Sequence, residues 1–95
     1  MQKPMYTILD RVSRTYWTPF AAHNDDDAKR AISNAVNTPS DNDIYLHPED
    51  FDLYKIGIFD DSVENGIIFT PLHPIEFIAK LDSLVHRIQS QENEV

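Results

Sequence analysis

The chain has 95 residues, 41% hydrophobic and 25% charged, which is one domain's worth with a modest core. It contains no cysteine, which excludes a disulfide framework, a thiolate metal site and a thiol nucleophile. The net charge is −8 and unevenly spread: residues 1–23 hold Lys3, Arg11 and Arg14 against Asp10, a net of +2, leaving −10 for residues 24–95. Such a surface repels nucleic acid at long range, so any phosphate contact has to come from the N-terminal segment or from a composite surface in an oligomer. The opening "MQKPMYTILD" carries charge and proline where a signal peptide needs an apolar run, and no apolar run is long enough for a transmembrane helix. A cytoplasmic setting is expected, within a single domain over residues 1–89 and a polar, frayed tail over 90–95.

β-Branched and aromatic residues predict a first strand over residues 5–12. "SRT" makes a turn, and a second strand follows over 16–22. Pro19 lacks an N–H and marks that strand as an edge or a bulge. "NDDD" then offers Asn24 as N-cap, with Asp25, Asp26 and Asp27 at the positive end of a helix dipole. Ala28, Ala31, Ile32, Ala35 and Val36 recur at helical spacing, and Asn37 and Pro39 stop the helix.

A polar loop over 37–50 leads to a third strand over 53–59. "DDSVENG" is a hairpin connection with Asn65-Gly66 as its turn signal. A fourth strand spans 67–70, and Pro71 marks it too as an edge. A second helix is expected over 74–89, with Pro74 in its first turn and Ile75, Ile78, Leu81, Leu84, Val85 and Ile88 as its apolar stripe. The order is ββαββα, an α+β fold with a mostly antiparallel four-stranded sheet and both helices on one face. "ILD…WTPF" and "IFD…FTPL" recur before the two helices, which raises an internal ββα duplication. The second sheet face is left partly open, with Tyr6, Tyr16, Trp17 and Tyr54 to line it or to pair subunits there.

Few motifs carry chemistry. Three consecutive helical aspartates diverge, so capping explains Asp25–Asp27 better than a divalent cation. The aspartates of "FDD" at Phe59–Asp61 fit turn chemistry. His23, His47, His73 and His86 form no HxxxH or HExxH pattern. With Gly57 and Gly66 alone, no glycine loop can cradle a phosphate. No catalytic residue, metal or cofactor is expected, and the chain reads as a non-enzyme.

The N-terminal hairpin is the candidate binding site. Arg11 and Arg14 flank a turn, and Tyr16 and Trp17 follow. Cations that track phosphates beside rings that stack on bases are how single strands are held. With Lys3 added, the candidate DNA-binding set is Lys3, Arg11, Arg14, Tyr16 and Trp17. The plainer reading places Trp17 in the core and leaves the arginines solvated. Strand neighbours face opposite sides, so one of Tyr16 and Trp17 is expected inward.

"YTILDRVSRTYWTPF" followed by "NDDDAKRAISNAVN", together with "HPEDFDLYKIGIFDD", resembles the small non-structural protein of gokushoviruses, single-stranded DNA phages of the Microviridae. The resemblance covers about residues 5–70. It implies a role in producing or packaging the single-stranded genome in the host bacterial cytoplasm, with single-stranded DNA as partner and a homodimer doubling the basic patch. The alternative is an acidic protein-interaction module that binds a host or phage replication or capsid protein.

Overall fold

The computed structural model describes residues 1–64 and 66–87. Its frame is a five-stranded antiparallel sheet. The long strand β1 (Gln2–Asp10) lies between the short edge strands β2 (Thr15–Tyr16) and β3 (Phe20–Ala21) on one side and β4 (Phe51–Asp60) on the other. The last strand, β5 (Phe69–Lys80), pairs with β4 alone. Helix α1 (Asp25–Asn37) and the short helix α2 (Asp43–Leu46) complete the architecture, with 3-10 turns at Pro48–Asp50 and Leu81–Leu84. This is the α+β, mostly antiparallel fold expected from the sequence.

Strand β1 alternates in the usual period of two, so Tyr6 and Ile8 point to one face. They meet Leu53 and Phe51 of β4, Ala28 and Val36 of α1, Ile44 of α2 and Leu81. These eight residues are the buried core, and α1 is the layer that closes it. Helix α1 begins as its sequence predicts: the Asn24 side chain accepts from the Asp27 N–H at 2.8 Å. Its C-terminal end has no basic residue in the last turn. Arg87 supplies the missing donor from elsewhere, bonding the Val36 carbonyl at 2.8 Å and the Tyr45 carbonyl while its guanidinium lies 3.9 Å above the Tyr45 ring. Beside it Asn37 accepts from the His86 N–H at 2.8 Å and donates to the Leu84 carbonyl at 3.0 Å.

Two expected elements differ. The second helix does not form over the described residues: 69–80 run as one strand, and the helical stripe survives only in the 3-10 turn Leu81–Leu84, where Leu81 is buried. The apolar positions of 74–85 fit both periods. What decides is β4, ten residues long, whose outer N–H and C=O groups need a ladder partner that a helix cannot provide. The pairing runs from Phe59↔Phe69 to Asp52↔Lys80. Residues 88 and 89 of the expected helix, and the 90–95 tail, lie outside the described residues. With that helix gone, the internal duplication goes too, since only the first half reaches a long helix.

The second expected strand, 16–22, is split in two. Pro19 interrupts it, and between the pieces the Trp17 N–H reaches the Ile8 carbonyl at 2.9 Å while the Thr7 hydroxyl donates to the Trp17 carbonyl at 2.6 Å. The edge positions signalled by Pro19 and Pro71 are as expected. The expected turn residue Asn65 lies outside the described residues; Gly66 next to it takes φ +70°, where glycine is favoured.

Candidate nucleic-acid interface

Tyr6, Ile8 and Leu53 face α1, so their neighbours Thr7 and Tyr54 face the other way. On that second face no helix packs among the described residues. The register places Thr7 opposite Tyr54 and Tyr54 opposite Phe77. Tyr16 joins from β2, and the rings form a row across the sheet. Tyr54 takes Tyr16 edge-on at 6.5 Å on one side and Phe77 edge-on at 5.7 Å on the other. Tyr16 is 55% and Phe77 51% exposed. Next to the row, Thr7, Tyr16, Trp17, Pro19, Ile56 and Ile75 line an apolar groove of about 260 Å³.

Trp17 is 41% exposed and sets its ring edge-on against Phe51 at 5.7 Å. Neither Tyr16 nor Trp17 is buried: Tyr16 lies against Tyr54, and Trp17 packs its ring against core Phe51. The alternation rule holds only while the strand lasts, and β2 ends at Tyr16. Tyr6, by contrast, leaves the open-face group altogether: it is fully buried against α1.

The cations are placed unequally. Arg11 is committed: its Nε lies 2.9 Å from Asp52 Oδ2, its Nη2 donates to the Glu49 carbonyl, and its backbone N–H bonds the Asp50 carbonyl at 3.0 Å. Asp52 is only 6% exposed, and its Oδ1 has no partner among the described residues. Taking Arg11 away would leave a buried carboxylate uncompensated. Arg11 is thus a clamp between the end of β1 and the loop before β4. Lys3 lies eight residues up β1 from Arg11, roughly 26 Å along the strand, beside a hollow lined by Met1, Ala21, Ala22 and His23.

Arg14 is different. It sits exposed at the β1–β2 turn with φ 62°, a conformation unfavourable for a residue with a Cβ. The turn is held by Asp10, whose Oδ1 accepts from the Val12 and Ser13 N–H groups at 3.0 and 3.1 Å and whose carbonyl accepts from the Arg14 N–H at 2.8 Å. The bonds to the carboxyl, the Ser13 backbone bond first, keep the Asp10 carboxyl below its ordinary range. Lys80 is a further exposed cation, directly across the ladder from Asp52.

Of the five residues read from the sequence, Arg14, Tyr16 and Trp17 are exposed within one short segment. The fold holds Arg11 close but occupied, and sets Lys3 apart. Tyr54 and Phe77 are the members that sequence reasoning left out of the site. The alternation Ile75-Phe77-Ala79 was the available signal for Phe77, hidden by reading the same stretch as a helix.

Two other polar groupings are structural in form. Buried Tyr6 donates to Asp25 Oδ1 at 2.6 Å, and Lys55 Nζ lies 3.1 Å from the same oxygen and 3.7 Å from Glu76. Burial, then the bond to Asp25, pushes the Tyr6 hydroxyl well above its ordinary range, so it stays a donor. This chain ties the start of α1 to β4 and β5. His47, Glu49 and Asp50 bring ligand atoms within 4.8 Å of one another, but His47 and Glu49 are exposed residues of a turn, where such polar clusters are ordinary.

A protein-family model described as "Phage ORF5 protein" matches residues 3–84. The chain belongs to the Phage ORF5 protein family. No curated protein and no solved structure matches it. The family match spans β1 through the Leu81–Leu84 turn, so this Phage ORF5 protein carries both the helix-covered core and the aromatic face within the matched region. No described helix of it is long and apolar enough to cross a membrane.

Proposed function

We propose that this Phage ORF5 protein is a non-enzymatic accessory protein of a gokushovirus that binds single-stranded DNA during viral genome replication or packaging in the host bacterial cytoplasm. The observation that carries this reading is the cross-strand row Tyr16–Tyr54–Phe77 on an uncovered sheet face, with Trp17 beside it and Arg14 at the adjoining turn. Exposed rings offer stacking area to unpaired bases without regard to sequence, worth about 1–3 kcal/mol per base. Arg14 and Lys80 supply the phosphate contacts. Two such contacts give a shallow salt dependence, with a slope of log affinity on log salt of about −1.4. An acidic protein that binds through stacking has this signature, whereas one that binds through charge has a steep slope.

The test is a titration with single- and double-stranded DNA at two salt concentrations, followed by Trp17 fluorescence and, separately, by DNA anisotropy. Preference for single strands, a shallow slope and loss of binding in Tyr16→Ala plus Phe77→Ala are expected. Unchanged affinity in that double variant, or equal affinity for duplex, overturns the assignment.

A second reading, an acidic module engaging a basic host or phage replication or capsid protein, is favoured by the commitment of Arg11 to Asp52 and by the net charge of −8. It predicts no DNA binding and a partner recovered from infected cells that is released by high salt.

A further inference from the structure

The groove on the open sheet face differs in chemistry from the row of rings beside it. Thr7, Tyr16, Trp17, Pro19, Ile56 and Ile75 line it, no charged side chain is among them, and the surface they present is almost wholly apolar. Polar groups of two lining residues are turned to the fold itself: the Thr7 hydroxyl donates to the Trp17 carbonyl at 2.6 Å, and the Trp17 backbone N–H donates to the Ile8 carbonyl at 2.9 Å. The volume, about 260 Å³, lies below the ~300–1,000 Å³ of pockets that enclose a drug-sized ligand. It suits one edge of a small ring, not a whole nucleotide. Tyr16 belongs to both features, as the first ring of the row, 6.5 Å from Tyr54, and as a wall of the groove. A base stacked on Tyr16 is therefore held at the groove's rim.

We propose that this groove receives the C5-methyl edge of one thymine of the bound strand and so gives the site a preference for thymine, a preference that rests on the single-strand function proposed for the same face. The bases differ along that edge. Thymine carries a methyl group beside O4, adenine presents N7 and an amine, guanine N7 and O6, and cytosine an amine beside a bare C5–H. An apolar wall offers nothing to a donor or acceptor, and burying one there without a partner is unfavourable. The methyl group meets no such penalty and leaves water on entering. The Watson–Crick edge stays in solvent, because the groove has no partner for it. The ring row is indifferent to base identity, since every base has a face to stack. The groove is where identity enters. What selects a base over an apolar side chain of another protein is the continuity of the groove, through Tyr16, with exposed flat rings.

The test compares oligo(dT) with oligo(dU) of equal length, which differ by the methyl group alone, by fluorescence anisotropy at one salt concentration. Wild-type protein is expected to bind oligo(dT) about fourfold more tightly, the worth of one buried methyl group. Ile75→Thr keeps a β-branched side chain on β5 but sets a hydroxyl in the groove wall. It is expected to remove the difference and leave oligo(dU) affinity unchanged. The wild-type comparison stands without the variant, and circular dichroism shows whether the variant keeps the fold. Binding with equal affinity for the two oligomers overturns the thymine preference and leaves single-strand binding intact. A difference that persists in folded Ile75→Thr moves the preference to the ring row and overturns the groove. Equal affinities together with self-association in sedimentation velocity that Ile75→Thr abolishes give the groove to a second copy and overturn it as well. Binding to neither oligomer overturns the proposed function, and the preference falls with it.

Discussion

The two faces of the sheet use the same kinds of residue to opposite ends. On one, Tyr6, Ile8, Leu53 and Phe51 lie under α1 and are excluded from water. On the other, Tyr16, Tyr54 and Phe77 pack edge to edge in a row, and Tyr16 and Phe77 stay exposed. Composition does not separate the two faces; a second layer does. Among the described residues a helix covers one face and turns its aromatics into core, and none covers the other, whose aromatics stay at the surface. The same division runs along the hairpin, where the tip beyond Phe59↔Phe69 has exposed apolar side chains and no layer.

The contrast breaks most visibly at Leu53, which is fully buried opposite Ile8. Leu53→Ala is expected to cost about 2–5 kcal/mol in urea unfolding; a loss below 1 kcal/mol would show that this face is not the core. Gly57 tests the arm. A Cβ there would stand 2.5 Å from the Thr70 carbonyl oxygen and 2.5 Å from Phe69 Cζ. The carbonyl belongs to the ladder and cannot swing aside, so Gly57→Ala is expected to cost about 1–3 kcal/mol through overpacking. Amide exchange should rise at the β4–β5 hairpin and not in α1.

Arg87→Ala removes the donor that satisfies the Val36 and Tyr45 carbonyls. A loss of about 1–3 kcal/mol is expected, with exchange rising at the end of α1. Asp25 gives a pH-dependent effect. The Tyr6 hydroxyl first, and then Lys55, hold its carboxyl below the ordinary range against a burial effect that raises it. Its folded value therefore lies below the unfolded one, and its contribution is complete above the unfolded value, about 4, and disappears as pH falls through the folded one. The stability gap between wild type and Asp25→Asn should be present at neutral pH and close in acid; a gap unchanged down to the acid transition would remove the Tyr6–Asp25 bond from the account. The smallest effect is expected on the open face: Phe77→Ala should change stability by less than about 1 kcal/mol while weakening single-strand binding.

Much of this arrangement was legible in the residues. Asn24 announces α1 and does cap it, Pro19 and Pro71 mark edges, and the spacing of Ala28, Ile32 and Val36 identifies the face that packs. The aromatic face was half legible. Tyr16 and Arg14 stand in one short turn, so local sequence finds them. Phe77 is 61 positions from Tyr16, and only the ladder through Tyr54 brings it to the row. Arg11 looked as free as Arg14 because its partner Asp52 lies across β1 and β4.

The sequence by itself determined the fold class, the helix over Asp25–Asn37 with its start and stop, the edge strands and the uneven charge. These depend on backbone chemistry within a few residues: a cap, a missing N–H, a period. Only the tertiary structure decided that residues 69–80 are strand, that Arg11 is a clamp, and that Tyr6 is core while Tyr16 is surface. Each of those depends on a partner distant in the chain: the unsatisfied edge of β4, the buried carboxylate of Asp52, the helix that covers one face and not the other.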